Sequence, residues 1–580
     1  MRGGVNEPDR YNAPVQSSKA IYATVLAIIA LTLIPRLVGI DRFATVDEPY
    51  WLTSGSNFYY ALGQRDFAST VYDYHPAVTT MWIIAAAMLL YFPQYRGLGQ
   101  GFFDVYKDSL EQFLLLHDRT PLGLLATARV LQVVLIVALL AVVFLLLRRL
   151  LDERSALAAV LLISFDPFFL GHSRLLNHEG IMTLFVLVSL LALMEHLLHG
   201  RRWLLLVGSA VAAGLAQLTK SSSLVLVPVA GLLFLLAIVH AGRPGSRQRM
   251  APIMGDVGLW LVTLVAVYVL LWPGMWVAPA RMLHEVFGNA FSYAFEGARL
   301  SAAAVEPSAG FQPRLADVML YVQSMLWRTT PVVWLGVVLA AAALIRMDRV
   351  RRLVLLTIFL VGAIFVVLFG IASGRNSAHY VLASYAALDI LAGAGFAEAA
   401  ARWAGRLRSA TVRFLPALLL GCAAILQAGS ALPFFPYYYN YYSPIMEAME
   451  IGHQNPNFGY GEGLDLAASY LDQEPSAAES TVMAFYGRGP FSYFYRGTTE
   501  PLKTVYADAE NLPQLQEILR KSDYLVIYYA LQHGRNSPPN VMRALEGASP
   551  EKTIWLNGIE YVRIYALGGL AGDFYDRLQP

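Results

Sequence analysis

Eleven apolar runs constrain this chain more than any motif in it, at residues 21–40, 124–147, 156–170, 181–198, 203–218, 224–241, 257–271, 332–345, 353–371, 380–396 and 414–432. Crossing a bilayer core of ~30 Å takes about 20 apolar residues as a helix, and a backbone in lipid must satisfy its own hydrogen bonds, as a helix does. The runs therefore predict a membrane α-helical protein with about eleven transmembrane helices. Charged residues are 14% of the 580 and AVILMFWYC residues 57%, whereas a soluble chain carries roughly a quarter charged residues. This argues against an ordinary cytosolic enzyme and against disorder. With 43 Lys+Arg against 41 Asp+Glu and no basic tract interleaved with aromatics, no nucleic-acid partner is expected. Cys422 is the sole cysteine, which excludes an internal disulfide and a Cys-x-x-Cys metal site.

Basic residues near span ends stay in the cytoplasm. Lys19, Arg148/Arg149/Arg154, Arg201/Arg202, Arg243/Arg247/Arg249, Arg346/Arg349/Arg351/Arg352 and Arg402/Arg406/Arg408/Arg413 then fall on one side. The expected organisation is a cytoplasmic N-terminus (1–20), a membrane domain (21–432) with extracytoplasmic loops at 41–123 and 272–331, and an extracytoplasmic domain (433–580). The apolar piece 78–92, between Pro76 and Pro93, is short for a span and reads as an interfacial or re-entrant helix. Tyr437, Tyr438, Tyr439, Tyr441 and Tyr442 read as an aromatic belt at the membrane interface. Beyond them, helices near 463–471 and 515–519, strands at 481–486 and 524–529, and a hairpin at 554–564 around Asn557-Gly558 predict a small α/β domain.

Four lone cations stand on the side opposite the Arg-rich loops: Arg129, Arg174, Lys220 and Arg375, with His379 close to the last. One charge at a span end snorkels to the interface; four at one face point to a bound anion. Asp47 and Glu48, just after the first span, and Glu179, at the outer start of the fourth, supply carboxylates to the same face. Together these groups suit transfer from a phosphate-bearing lipid. A carboxylate takes the proton of an incoming hydroxyl, and cations hold the charge of a departing phosphate. His284-Glu285 reads as surface, and Gly459-Tyr460-Gly461-Glu462-Gly463 has no preceding strand that would make it a nucleotide loop.

The order of several short motifs resembles the GT-C glycosyltransferases, especially protein O-mannosyltransferases and the bacterial aminoarabinose transferases of lipid A. Ile34-Pro35-Arg36-Leu37-Val38-Gly39-Ile40 leads to Val46-Asp47-Glu48-Pro49-Tyr50; Tyr74-His75-Pro76, Thr127-Ala128-Arg129 and Ser173-Arg174-Leu175-Leu176-Asn177-His178-Glu179 follow. Glu179 stands where those families usually have Asp. The resemblance implies transfer of a sugar from a polyprenyl-phosphate donor to an acceptor hydroxyl of a glycan, lipid or protein, outside the cytoplasmic membrane. It also implies substrate-binding roles for Tyr50 and His75, and donor-phosphate contacts from Arg129, Arg174, Lys220, Arg375 and His379. Asp47 is the expected general base, with an inverted product. Glu48 points away from it, toward the acceptor or a metal, and Glu179 orients the acceptor or takes the base role itself. No cofactor is certain, and a divalent metal stays open. The large insert of eukaryotic mannosyltransferases is missing, which argues for a bacterial member. A transporter or flippase of lipid-linked saccharide is the competing reading, but it should show internal repeats, and none is seen. A ligase or polymerase using a lipid-diphosphate donor shares the chemistry.

Overall fold

The computed structural model describes residues 18–242, 250–296, 315–372, 377–406, 414–447, 459–529, 538–570 and 574–579. Each of the eleven apolar runs falls on one helix or on two adjoining ones. Among the described residues eight helices are long and apolar enough to cross a membrane, and counting each of two bent pairs as one span raises this to ten. The remaining expected span is the shorter helix Trp203–Thr219. The chain is an integral membrane protein.

Capping chemistry sets the helix ends. Thr120 accepts from the Gly123 N–H at 3.1 Å with Pro121 in the first turn, and Arg148 and Arg149 close the last turn of Pro121–Leu150, where cations favour the helix dipole. That helix is about 45 Å long, more than a bilayer core requires. The run expected as one span at 156–170 is instead broken. Asp166 accepts from the Phe169 N–H at 2.7 Å and Pro167 has no N–H to continue the ladder, so Glu153–Phe165 and Pro167–Ser173 meet at 67°. A similar break, capped by Thr330 before Pro331, sets Leu315–Arg328 at 110° to Pro331–Leu344.

Glu179–Leu198 is apolar all round and buried from Glu179 to His196, so it is the bundle's central post. Helix Leu382–Arg406 packs on both Glu153–Phe165 and Pro331–Leu344. Gly393 abuts the backbone of Ala159 and Gly395 that of Gly336, where a Cβ would clash. Small residues of this kind let membrane helices approach backbone to backbone. The piece expected to be interfacial or re-entrant is the 14-residue helix Val78–Tyr91. It buries Val78, Met81 and Ile84 and exposes Trp82, Leu89 and Leu90.

After the last span the chain forms a five-stranded sheet in the order β2-β1-β3-β5-β4, with β1 Thr481–Ala484, β2 Thr498–Pro501, β3 Tyr524–Tyr528, β4 Lys552–Leu556 and β5 Ile559–Ala566. β1 pairs in parallel with β2 and β3, and β5 runs antiparallel to β3 and β4. Asn557 and Gly558, at φ 54° and 76°, make the tight turn of the expected hairpin. Helices Leu464–Leu471 and Leu512–Lys521 pack on this sheet. Strand β2 was not legible: Thr498–Pro501 has no apolar alternation and ends in proline.

One expectation about this region needs correction. The tyrosine run is not an interface belt, because Tyr437, Tyr438, Tyr439 and Tyr441 are at most 5% exposed. Their hydroxyls and backbone tie elements together: Tyr437 donates to Asp465 at 2.5 Å, Tyr438 to the Pro35 carbonyl at 3.3 Å, and the Tyr439 carbonyl accepts from Arg328 at 2.7 Å. The C-terminal domain is tied to the first loop. Arg488 donates to Glu111 at 3.0 Å, to the Val105 carbonyl at 2.7 Å and to the Thr53 hydroxyl at 2.9 Å, while the Val46 N–H donates to the Tyr460 carbonyl at 3.2 Å.

Candidate active site

A cavity of about 500 Å³ opens between the start of helix Glu48–Gln64, the first-loop stretches around Tyr74 and Tyr106, the N-terminus of Glu179–Leu198, the short turn Ala378–Val381 and loops of the C-terminal domain. Asp47, Tyr50, His75, Glu179 and His379 line it, five of the residues expected from the sequence. Tyr460, Tyr486 and Arg488 line it too, and sequence reasoning missed all three.

Asp47 immediately precedes helix Glu48–Gln64, makes no side-chain capping bond to it, and is open to the cavity. Its carboxylate accepts a short hydrogen bond from the Tyr460 hydroxyl. Among the described residues no Lys or Arg forms an ion pair with it. Desolvation by the surrounding wall raises its pKa above the ordinary carboxylate value; the Tyr460 hydrogen bond opposes this, the charges of Glu179 and Glu48 add to it, and Lys220 opposes it more weakly. Tyr460 is itself fixed, since its N–H donates to Glu462 at 2.7 Å and Glu462 also accepts from the Tyr528 hydroxyl on β3.

Glu48 turns the other way and is 1% exposed. Arg129 reaches it with two nitrogens at 2.7 and 2.5 Å, the Leu176 N–H at 2.8 Å, and Thr45 with its N–H at 2.8 Å and hydroxyl at 3.0 Å. Arg129 also donates to the Ile40 and Phe43 carbonyls at 2.5 and 2.8 Å. This pair staples the loop after the first span to the second span, and neither side chain lines the cavity.

Glu179 sits in the first turn of its helix, where a carboxylate favours the dipole, and Lys220 sits at the C-terminal cap of Trp203–Thr219, where a cation does. The two form a direct buried ion pair, with His379 Nε2 at 3.8 Å from the same carboxylate oxygen and the ammonium 4.5 Å from the centre of the Tyr380 ring. His178, beside Glu179, exchanges a hydrogen bond with Thr80 at 2.9 Å. Burial lowers its pKa to about 4, so it stays neutral at ordinary pH. Tyr50 donates to the Tyr72 carbonyl at 2.9 Å and to Asp73 at 3.3 Å, which fixes its ring against the cavity.

Among the described residues the cations do not gather at one place. Arg129 is held by Glu48. Arg174, 1% exposed, donates to the Val38, Gly39 and Pro436 carbonyls at 2.7, 2.5 and 3.3 Å and lies between Phe435 and Tyr438. Each guanidinium braces the chain leaving the first span, and neither lines the cavity. Lys220 and His379 do converge, at Glu179. Arg375 lies outside the described residues. Among the described residues no three His, Cys, Asp or Glu side chains cluster as a metal-ligand set.

Residues 124–272, about a quarter of the chain, match the family model of dolichyl-phosphate-mannose-protein mannosyltransferases. That segment carries Arg129, Arg174, Glu179 and Lys220, and over it the resemblance read from the motifs is met: this part of the chain is mannosyltransferase-like. No curated protein sequence matches the chain. Among solved structures it is similar to ArnT of Cupriavidus metallidurans bound to undecaprenyl phosphate, at 14% identity and a TM-score of 0.46 over 93% of this chain and 97% of that one. The Archaeoglobus fulgidus oligosaccharyltransferase is similar at 13% identity and 0.43, over 89% and 71%. The Saccharomyces cerevisiae Pmt1-Pmt2 complex bound to its sugar donor is similar at 15% and 0.35, over 50% and 38%.

Proposed function

We propose that this protein transfers a glycosyl residue from a polyprenyl-phosphate sugar to an acceptor hydroxyl inside the cavity. The observation that carries the reading is the division of labour among three acids. Glu48 is held by Arg129 and Glu179 by Lys220 and His379, whereas of the three Asp47 presents the cavity with a carboxylate that no Lys or Arg among the described residues pairs.

In a single displacement the acceptor oxygen attacks the anomeric carbon, the bond from that carbon to the phosphate oxygen breaks, and its electron pair leaves with the polyprenyl phosphate. Asp47 takes the acceptor proton. General-base help of this kind contributes about 10²–10⁴-fold, and a carboxylate with a raised pKa is better suited to the task than an ordinary one. His379 lines the cavity with the Lys220 ammonium behind it on the same Glu179 carboxylate, and this side of the wall is assigned the departing phosphate's charge. Tyr50 and His75 form the wall beside Asp47, suited to holding a sugar ring. Tyr460 is a positioning residue that fixes the Asp47 carboxylate.

The same reading assigns 21–432 as the catalytic membrane domain and 433–580 as the domain that closes the cavity, both facing the extracytoplasmic side of a bacterial cytoplasmic membrane. The Arg-rich loops supply the orientation, with Arg351 against Asp152 and Asp348 at the end of the bundle away from the cavity. A reporter fused after Pro580 that is active only in the cytoplasm would overturn it.

The activity is tested by incubating the purified protein with labelled polyprenyl-phosphate sugars and an envelope extract. The expected product is a labelled acceptor with inverted anomeric configuration. Failure of transfer with every donor, or a retained configuration, would refute the proposal.

A further inference from the structure

A second cavity, about 560 Å³, lies at the other end of the bundle, where the last turn of Glu179–Leu198, the end of Leu226–Ala241 and the start of Arg349–Ile371 come together. Its walls are apolar, among them Met194, Leu233, Leu236, Leu353 and Leu356. Leu236 and Leu356 are also open on the flank that faces lipid, at 46% and 45% exposed. Its rim carries Arg349 and Arg352 with His240 beside them, and among the described residues no acidic side chain lines it.

Some arginines at this end have carboxylate partners. Arg351, between the two rim arginines in sequence, meets Asp152, Asp348 and Glu398, and Arg201 meets Asp256. Among the described residues Arg349 and Arg352 form no ion pair. Arg352 donates one nitrogen to the Ile345 and Met347 carbonyls, both at 3.0 Å, and its Nε is buried without a hydrogen-bond partner. A buried donor left unmatched is costly unless something else accepts from it.

We propose that this cleft binds an acidic phospholipid, its phosphate between Arg349 and Arg352 and one acyl chain along Leu236, Leu353 and Leu356. The charge calls for an anion, the walls call for a hydrocarbon chain, and the open flank lets that chain enter from the bilayer; a phosphodiester lipid meets all three demands. The site is separate from the catalytic cavity and does not depend on the transfer reaction.

The full chain, stripped of lipid in neutral detergent, is titrated with phosphatidylglycerol or phosphatidylcholine and the bound lipid read by native mass spectrometry. Phosphatidylglycerol should bind at least about tenfold more tightly. Arg349→Gln, at an exposed position, should weaken it about fivefold, the contribution typical of one surface cation near an anionic lipid. Leu236→Trp, which fills the apolar part and leaves the charge, should weaken it as well. Arg352 also braces a turn, so these two variants carry the test. Equal binding of the two lipids, undiminished phosphatidylglycerol binding in both variants, or tighter binding of a polyprenyl phosphate that Arg349→Gln weakens would each overturn the proposal.

Discussion

Asp47 and Glu48 are neighbours in sequence and opposites in environment. Glu48 is buried with a guanidinium, two backbone N–H groups and a hydroxyl around it, so every lone pair has a donor. Asp47 has one tyrosine hydroxyl and an open cavity. The start of helix Glu48–Gln64 sends the two side chains apart, one into the join between the first two spans and one toward the C-terminal domain. Two carboxylates of one motif thus divide into a structural group and a reactive one, and what separates them is whether a cation already holds the charge.

The contrast breaks first on stability. Arg129→Ala leaves Glu48 buried without its partner, and removing one member of a buried pair costs about 3–5 kcal/mol. Thermal unfolding of the solubilised protein should show a large drop, and an unchanged melting temperature would dissolve the contrast. Lys220→Met likewise leaves a buried carboxylate without its cation, about 3–5 kcal/mol, toward the lower end because His379 stays 3.8 Å from Glu179. It should destabilise the protein less than Arg129→Ala and should also weaken donor use; unaltered donor affinity would detach Lys220 from the phosphate. A smaller effect sharpens the other side of the comparison. Asp47 must be ionised to act as a base and its pKa is raised, so transfer should be lost on acidification at a pH above the ordinary carboxylate range. Tyr460→Phe deletes a hydrogen bond that favours the carboxylate, so the acid limb of the pH–rate profile should move to still higher pH. A limb that stays in place would leave Tyr460 merely structural. The least effect is expected from Tyr437→Phe, about 1 kcal/mol of stability with no change in that profile.

Hydrophobic runs made the spans legible because lipid demands them, and Asn557-Gly558 announced the hairpin because both residues accept positive φ. What the sequence concealed depends on contacts between distant segments. Tyr460 meets Asp47 across 413 positions, and its glycine-flanked loop gave no periodic or motif signal of a role. Arg129 read as a lone cation because its partner is 81 residues away. One local hint existed: Thr45 and Glu48 have the spacing at which a carboxylate folds back on the N–H at a helix start, and a carboxylate used in that way is less available for chemistry. The tyrosine run misled because clustered aromatics at a span end suit an interface and a packed core equally. Burial under the C-terminal domain, which composition does not reveal, decides between them.

The central claim is that Asp47, and neither Glu48 nor Glu179, takes the acceptor proton. It is tested most directly by single-turnover transfer with Asp47→Asn, with donor binding and melting temperature measured on the same preparation. The substitution keeps the shape and removes the basicity. The expected result is donor binding and stability close to the parent with turnover at least about a hundredfold slower; a folded, donor-binding Asp47→Asn protein that transfers at near the parent rate would contradict it.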